Sequence, residues 1–194
     1  WPAEQLRQVA EVARDAGLAT HLDGARLLNA VVATGTPASV FAQGYDSAWI
    51  AFSKGLGCPV GSVLAGSQDF INQAWLFKRR WGGAMRQTGV LTAMCLYALD
   101  HNVDRLAEDH ALAKSIGDRL VGLPVIDRVH AVETNIVIID LAPGYPEARA
   151  CLAMLKKRGV IVTAVGKNRL RIVTHMDVTD ADSDVLIRAM EDLC

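Results

Sequence analysis

Helix-like and strand-like segments alternate along this chain of 194 residues, and the alternation limits its possible folds more than any other feature. Apolar residues recur every three or four positions from Ala3 to Ala16. Short apolar runs follow at residues 18–23, 47–52 and 60–65, with helical patterns between them. Helices between strands allow neighbouring strands to run parallel. The pattern predicts an α/β fold in which the first sheet is mainly parallel.

The pattern changes after the turn at residues 122–124 and predicts a second, smaller α/β unit. Its expected elements are strands at 135–141, 160–165 and 170–173, a helix at 146–158 and a closing helix after Thr179. Thr179 suits a helix N-cap because its hydroxyl can accept a backbone hydrogen bond. We therefore predict part of a large domain over residues 1–100 and a small C-terminal domain over 101–194.

Charge and composition exclude several classes of partner. Twenty Lys and Arg against twenty-one Asp and Glu leave a net charge of −1, without the basic excess of a nucleic-acid binder. Apolar stretches such as 135–141 are far shorter than the roughly 18 residues that cross a bilayer. The four cysteines form no Cys-x-x-Cys pair, so neither a disulfide framework nor a zinc site is expected. These features predict a soluble, cytoplasmic protein with no membrane or nucleic-acid partner.

A first group of reactive side chains surrounds Gly24, where the predicted strand 18–23 ends: His21, Asp23 and Arg26. Parallel sheets bind ligands at the carboxyl ends of their strands. A carboxylate there can pair with a protonated ring nitrogen, and glycine lets a cofactor approach the backbone. An aspartate that only caps the next helix is the alternative. His21 and Asp23 lack a third ligand, so no metal site is predicted.

A second group is the lysine loop, residues 53–62, with the sequence Ser-Lys-Gly-Leu-Gly-Cys-Pro-Val-Gly-Ser. One lysine, Lys54, stands among glycines between two apolar strands. A lysine amine in such a place suits covalent bonding to an aldehyde, and the glycines admit a planar ligand. A nucleotide P-loop does not fit, because its lysine follows the glycines. A solvated turn lysine is the alternative.

Together the motifs resemble those of the PLP-dependent threonine aldolase and β-eliminating lyase family. Residues 23–26 resemble its Asp-Gly-Ala-Arg segment, and the lysine loop resembles its cofactor-lysine segment. Residues 82–87 and 171–175 resemble its Gly-Gly-x-Met-Arg-Gln and Arg-x-Val-Thr-His segments. The resemblance spans nearly the whole chain. It implies PLP fold type I, the aspartate-aminotransferase-like fold, assembled as a homo-oligomer that is a dimer or a dimer of dimers.

The resemblance also implies a role for individual residues. Lys54 would be the catalytic residue and would hold pyridoxal 5′-phosphate (PLP) through its amine. Asp23 would pair with the pyridine nitrogen, and Arg26 would bond near the phenolic oxygen. Arg86 would help to hold the phosphate or complete a neighbouring subunit's site. Arg171 would bind the substrate carboxylate through its guanidinium.

The activity implied is cleavage of L-threonine, L-allo-threonine and similar β-hydroxy-α-amino acids to glycine and an aldehyde. A β-eliminating lyase, another fold-type-I enzyme, or an inactive fragment that only binds PLP or associates remain alternatives. The chain opens on Trp1 with a helical pattern, so we expect it to begin inside a larger protein. The family's stacking histidine, most of its phosphate loop and the base for the β-hydroxyl proton are expected before that point.

Other prominent side chains are expected to have ordinary structural roles. Trp49, Trp75 and Trp81 are predicted to be core or interface aromatics, because single tryptophans seldom indicate a cofactor. Cys58 lies within the lysine loop but is assigned no role. His175 follows Arg171 by four positions and is expected to line the same pocket.

Overall fold

A computed structural model describes residues 1–193 of the chain, which fold into two units. The first runs from Trp1 to Asp104, and the second starts at Arg105. The helices of the first unit are α1 (Ala3–Asp15), α2 (Leu27–Thr34), α3 (Ala38–Phe41), α4 (Gln68–Arg80) and α5 (Gly89–His101). Its strands are β1 (His21–Gly24), β2 (Ser47–Ala51) and β3 (Ser62–Gly66). The predicted α/β class is confirmed in this unit.

The sheet of the first unit is mixed, because β2 is parallel to β1 and antiparallel to β3. The connection from β1 to β2 passes through α2 and α3, as parallel neighbours require. Only the lysine loop connects β2 to β3, and it contains no helix. The chain therefore turns back along β2. The alternation of helices and strands correctly predicted that β1 and β2 are parallel. It wrongly predicted that β3 is parallel to β2.

Several apolar side chains of the first unit face solvent. All five residues of β3 are exposed, and α4 buries none of its residues. Trp75 is 47% exposed and Trp81 is 81% exposed, with the Trp81 ring centroid 5.4 Å from that of Phe77. These two tryptophans are therefore not core residues, which removes one of the two roles predicted for them.

The second unit packs three helices on one face of an antiparallel sheet. Its strands are β4 (Ile126–Val129), β5 (Ile136–Leu141), β6 (Thr163–Ala164) and β7 (Arg169–Val173), in the order β4-β5-β7-β6. Its helices are α6 (Leu106–Leu120), α7 (Ala148–Lys157) and α8 (Asp180–Glu191). Alternate residues of β5 and β7, such as Val137, Ile139 and Leu170, are fully buried against helix residues such as Leu120 and Met190.

The strands of the second unit differ from the prediction in two places. Only Thr163 and Ala164 of the apolar run 160–165 pair with a neighbouring strand. Strand β4 was not predicted, because Asp127 and Arg128 interrupt its apolar pattern. The predicted cap is confirmed: the Asp182 amide donates to Thr179 Oγ1, and Asp182 Oδ2 accepts from the Thr179 amide. No helix in residues 1–193 is long and apolar enough to cross a membrane.

An ion cluster joins three polar side chains of the second sheet on the face away from the helices. Arg169 donates from Nε and Nη2 to the two Asp140 oxygens, at 2.6 and 3.0 Å. His130 Nε2 lies 2.8 Å from Asp140 Oδ2. The Arg169 guanidinium, helped by His130, lowers the pKa of Asp140 to about 2 although partial burial opposes the shift.

We expect Asp140→Asn to destabilise the chain by about 1 kcal/mol at pH 7, the upper range for a partly exposed pair. A lowered native pKa stabilises the fold above the unfolded pKa, and this contribution is lost as pH falls from about 4 to about 2. Urea unfolding across that range should therefore give a shallower pH dependence for the variant. Asp118→Asn, which breaks the exposed pair with Lys114, is the control and should change little. Parallel profiles for wild type and Asp140→Asn would contradict this role.

Candidate active site

Trp49 on β2 lies between the two sequence groups that surround Gly24 and Lys54. In the parallel ladder Asp23 pairs with Trp49 and His21 pairs with Ser47. Paired residues project from the same face of a sheet, and His21 Nδ1 lies 2.8 Å from Ser47 Oγ on that face. Lys54 Nζ lies over the Trp49 ring, 5.5 Å from its centroid. Trp49 is therefore the strand neighbour of Asp23 and also carries the Lys54 amine over its ring.

Asp23 presents its carboxylate at the end of β1. Its Oδ1 accepts a hydrogen bond from the Ala25 amide at 3.1 Å, and the side chain makes no ion pair within the described part of the chain. Helix α2 begins at Leu27, where Arg26 occupies the N-cap position and supplies no side-chain cap. Asp23 is not the cap of α2, so the helix-capping alternative is wrong. The carboxylate is exposed, which leaves it accessible to a ligand.

The lysine loop is held by backbone hydrogen bonds close to Lys54. The Gly57 amide donates to the Lys54 carbonyl at 2.9 Å, and the Cys58 amide donates to the Phe52 carbonyl at 3.0 Å. Gly57 has a φ of +70°, a conformation that suits glycine. Leu56 is buried, whereas Lys54 is exposed and its Nζ makes no hydrogen bond or ion pair within residues 1–193. The backbone is thus ordered around an available amine.

A cleft of about 590 Å³ adjoins this loop within the first unit. Side chains from β2, β3, α4, α5 and the segments between them line it, among them Trp49, Lys54, Ser62, Lys78, Met85, Thr88 and Cys95. Its walls combine apolar, hydroxyl and cationic groups. A cleft of this kind admits a small organic ligand, with Lys54 and Trp49 both in reach.

The other predicted site residues occupy three different settings. Arg26 is half-buried before α2. Arg86 is exposed between α4 and α5, next to Met85 of the cleft wall. Arg171 belongs to the second unit, where β7 pairs it with Ile138 and Thr163.

Arg171 has an unused hydrogen-bond donor. Its neighbours Leu170 and Ile172 are buried in the core, and Arg171 projects to the opposite face of the sheet. Its Nε atom is buried and has no acceptor within the described residues. A buried donor without an acceptor is costly, and a carboxylate ligand would remove that cost. His175 is half-buried, and its Nδ1 accepts from the Asp177 amide at 3.3 Å.

Trp49 is the site residue that the sequence prediction missed, because it was expected to be an ordinary core or interface aromatic. It is half-buried and lines the cleft. The signal that could have found it is strand register. Asp23 ends one predicted strand and Lys54 follows the next. If the two strands are neighbours, a residue of the second strand pairs with Asp23 and also lies close to Lys54.

Similarity to known proteins identifies the family of this chain. The family model of beta-eliminating lyases matches residues 1–143. A probable low-specificity L-threonine aldolase 2 of Arabidopsis thaliana is 41% identical over 196 residues, which cover 98% of this chain and 54% of that protein. The chain therefore belongs to the beta-eliminating lyase family, as its motifs predicted. It spans about half the length of the curated relatives it matches.

Solved structures confirm the predicted fold, PLP fold type I. A Listeria monocytogenes protein, provisionally assigned as an L-allo-threonine aldolase, matches with a TM-score of 0.78 at 23% identity. The match covers all of this chain and 57% of that one. N-acetylornithine aminotransferase of Stenotrophomonas maltophilia matches with a TM-score of 0.70 at 17% identity, over 97% of this chain and 50% of that one.

Gly24 allows β1 to lie against β2, a different reason for glycine from the cofactor approach that the sequence suggested. A Cβ added at Gly24 would lie 2.3 Å from the Trp49 carbonyl oxygen. That oxygen belongs to the backbone, so the strand itself would have to move. The small residue therefore maintains the strand pairing that places Asp23 beside Trp49.

We expect Gly24→Ala to destabilise the chain by about 1–3 kcal/mol, the usual cost of overpacking. Gly89→Ala is a matched control, because a Cβ there meets nothing within 4 Å at the start of α5. The control should leave stability unchanged or raise it by up to about 1 kcal/mol. Urea unfolding followed by circular dichroism measures both. Equal midpoints for the two variants would show that β1 and β2 tolerate a wider separation.

Proposed function

We propose that this chain forms part of a PLP-dependent carbon–carbon lyase that cleaves β-hydroxy-α-amino acids such as L-threonine and L-allo-threonine to glycine and an aldehyde. The observation that carries the proposal is that Asp23 pairs with Trp49 across the sheet while Lys54 Nζ lies over the Trp49 ring. The threonine aldolase relative, matched over nearly the whole chain, supports the choice of substrate.

The residues present fit the cofactor that the motifs imply. The Lys54 amine has no competing ion pair within residues 1–193, so it is available to an aldehyde. The exposed Asp23 carboxylate can accept a hydrogen bond from a ring nitrogen and keep it protonated. Bound PLP supplies an electron sink for the pair released when the Cα–Cβ bond breaks. Arg26 and Arg86 are proposed to bind the phenolic oxygen and the phosphate.

Arg171 is the proposed binding residue for the substrate carboxylate. Its buried Nε lacks an acceptor within the described residues, which fits an anionic ligand. A guanidinium can hold both carboxylate oxygens in one plane, whereas an ammonium ion cannot. The proposed substrate, an α-amino acid, carries the carboxylate that Arg171 would bind.

β-Elimination is the second candidate reaction, because the matched family is described as beta-eliminating lyases. Asp23 and Lys54 would have the same roles in either reaction. Retro-aldol cleavage additionally needs a base for the β-hydroxyl proton, and none of the five predicted site residues supplies it. Product analysis separates the two: glycine and an aldehyde, or ammonia and a keto acid.

We further propose that the first unit belongs to a large cofactor-binding domain and the second to a small C-terminal domain. A homo-oligomer, a dimer or a dimer of dimers, is proposed for the complete protein. The exposed aromatic and aliphatic side chains of α4 support association, because large apolar surfaces are usually covered by protein. The cytoplasmic location stays a prediction from the sequence.

Absorbance of the purified chain with added PLP tests the cofactor site. A visible band should appear, and borohydride should then attach the reduced cofactor to Lys54, as read by peptide mass spectrometry. Lys54→Ala should lose both signals, while Lys114→Ala, which removes an exposed lysine of the second unit, should keep them. Asp23→Asn should weaken PLP binding about 10- to 100-fold, since it replaces a charge-assisted hydrogen bond. A band retained by Lys54→Ala would overturn the cofactor assignment.

Titration of the PLP-loaded chain with L-threonine tests Arg171. We expect Arg171→Lys to raise the threonine concentration at half-maximal spectral change about 10- to 100-fold, because the two-pronged carboxylate contact is lost. PLP affinity should stay the same. Arg169→Lys, two residues away on β7, is the matched control because its partner is Asp140. Equal threonine dependence in both variants would exclude a carboxylate-binding role for Arg171.

A further inference from the structure

Two thiols meet where the lysine loop packs on α5. Cys58 lies in the loop, four residues after Lys54, and Cys95 lies in the middle of the helix. Cys95 is near enough to Cys58 to raise the pKa of the Cys58 thiol. Cys58 Sγ also lies 3.6 Å from the Met94 carbonyl oxygen of the same helix. The two thiols thus lie at the same junction of loop and helix, although 36 residues separate them in sequence.

The backbone around the two thiols keeps them together. Cys95 Sγ lies only 3.2 Å from where a Cβ at Gly61 would be, so the bare glycine lets the sulfur reach the loop. Asn102, at the end of α5, donates from Nδ2 to the Leu56 carbonyl at 2.8 Å. This hydrogen bond holds the loop on α5 two residues before Cys58.

The two thiols differ in access to solvent. Cys58 is only 8% exposed, whereas Cys95 is partly exposed and lines the cleft beside Lys54. Burial, and secondarily the neighbouring Cys95, raises the pKa of the Cys58 thiol. Cys58 therefore stays protonated while Cys95 meets a reagent that enters the cleft. Reaction begins at the more accessible thiolate.

We propose that Cys58 and Cys95 are a redox modification site, at which a hydroperoxide produces a reversible disulfide between the lysine loop and α5. The Cys95 thiolate attacks one oxygen of hydrogen peroxide, the O–O bond breaks, and a sulfenic acid and water form. The Cys58 sulfur then attacks the Cys95 sulfur, the S–O bond breaks, and a second water leaves with the thiol proton. The two thiols lose two electrons and the peroxide gains them. A dithiol reductant reverses the bond by exchange.

The bond would connect the segment that carries Lys54 covalently to α5. A disulfide requires the sulfurs to approach to about 2.0 Å, which neighbouring thiols reach by side-chain rotation when their Cβ atoms are close. Cys151 offers a comparison within the same chain. It is a buried thiol of the second unit, and its Sγ lies 3.2 Å from the Pro146 carbonyl oxygen with no thiol partner within residues 1–193.

The test is disulfide mapping of the reduced, folded chain after treatment with hydrogen peroxide. Free thiols are alkylated under denaturing conditions and the digest is read by mass spectrometry. We expect the peptides of Cys58 and Cys95 to be joined with the loss of two hydrogens, and dithiothreitol to restore both thiols. Cys151 should remain alkylatable. Cys151→Ser should keep the bond, and Cys95→Ser should abolish it while Cys58 stays free. None of these outcomes depends on bound PLP.

Three results would overturn the proposal. Both thiols could stay free at a peroxide dose that fully oxidises a small dithiol in the same tube. Cys95 could advance to sulfinic acid while Cys58 remains reduced, which would show that Cys58 does not reach it. Cys58 could pair with Cys151 as often as with Cys95, which would indicate bonding through unfolded chains. The wild-type map decides among these even if a serine variant fails to fold.

Discussion

Antiparallel pairing of β3 with β2 is the interaction on which the candidate site depends. It returns the chain directly after β2, and the Phe52 amide bonds to the Gly61 carbonyl at 3.0 Å where the turn closes. The turn orders the backbone on both sides of Lys54, whose Nζ lies over the ring of Trp49 on β2. The site is therefore built from local backbone geometry.

The strands of the second unit separate an apolar core from a more polar face. Alternate residues of β5 and β7 are fully buried against the helices, and the intervening ones face away. This alternation places Arg171 among polar and half-buried groups while its neighbours Leu170 and Ile172 hold the core together. A cation is thereby fixed by apolar packing on the other side of the same strand. The proposed carboxylate contact of Arg171 and the packing of the core thus lie on opposite faces of the sheet.

Sequence reasoning predicted the α/β class, the family and the Thr179 cap because each depends on residues close together in the chain. It failed where the structure depends on pairing between residues that are far apart in the sequence. Nothing local to 62–66 distinguishes a parallel from an antiparallel strand, and charged Asp127 and Arg128 concealed β4. The position of Trp49 follows from register, and the approach of Cys58 and Cys95 to one junction follows from packing of the loop on α5. Neither can be obtained from spacing alone.

The close approach at Gly24 changes how related sequences should be compared with this one. Glycine is required there by the Trp49 carbonyl, so the residue reports the distance between two strands and carries no information about chemistry. Its neighbour Asp23 carries the charge. A homologue that kept the glycine and replaced the aspartate would keep this sheet and lose the acidic group proposed to partner a ring nitrogen. Two adjacent positions in one motif are thus under separate constraints, the spacing of two strands at Gly24 and the proposed cofactor contact at Asp23.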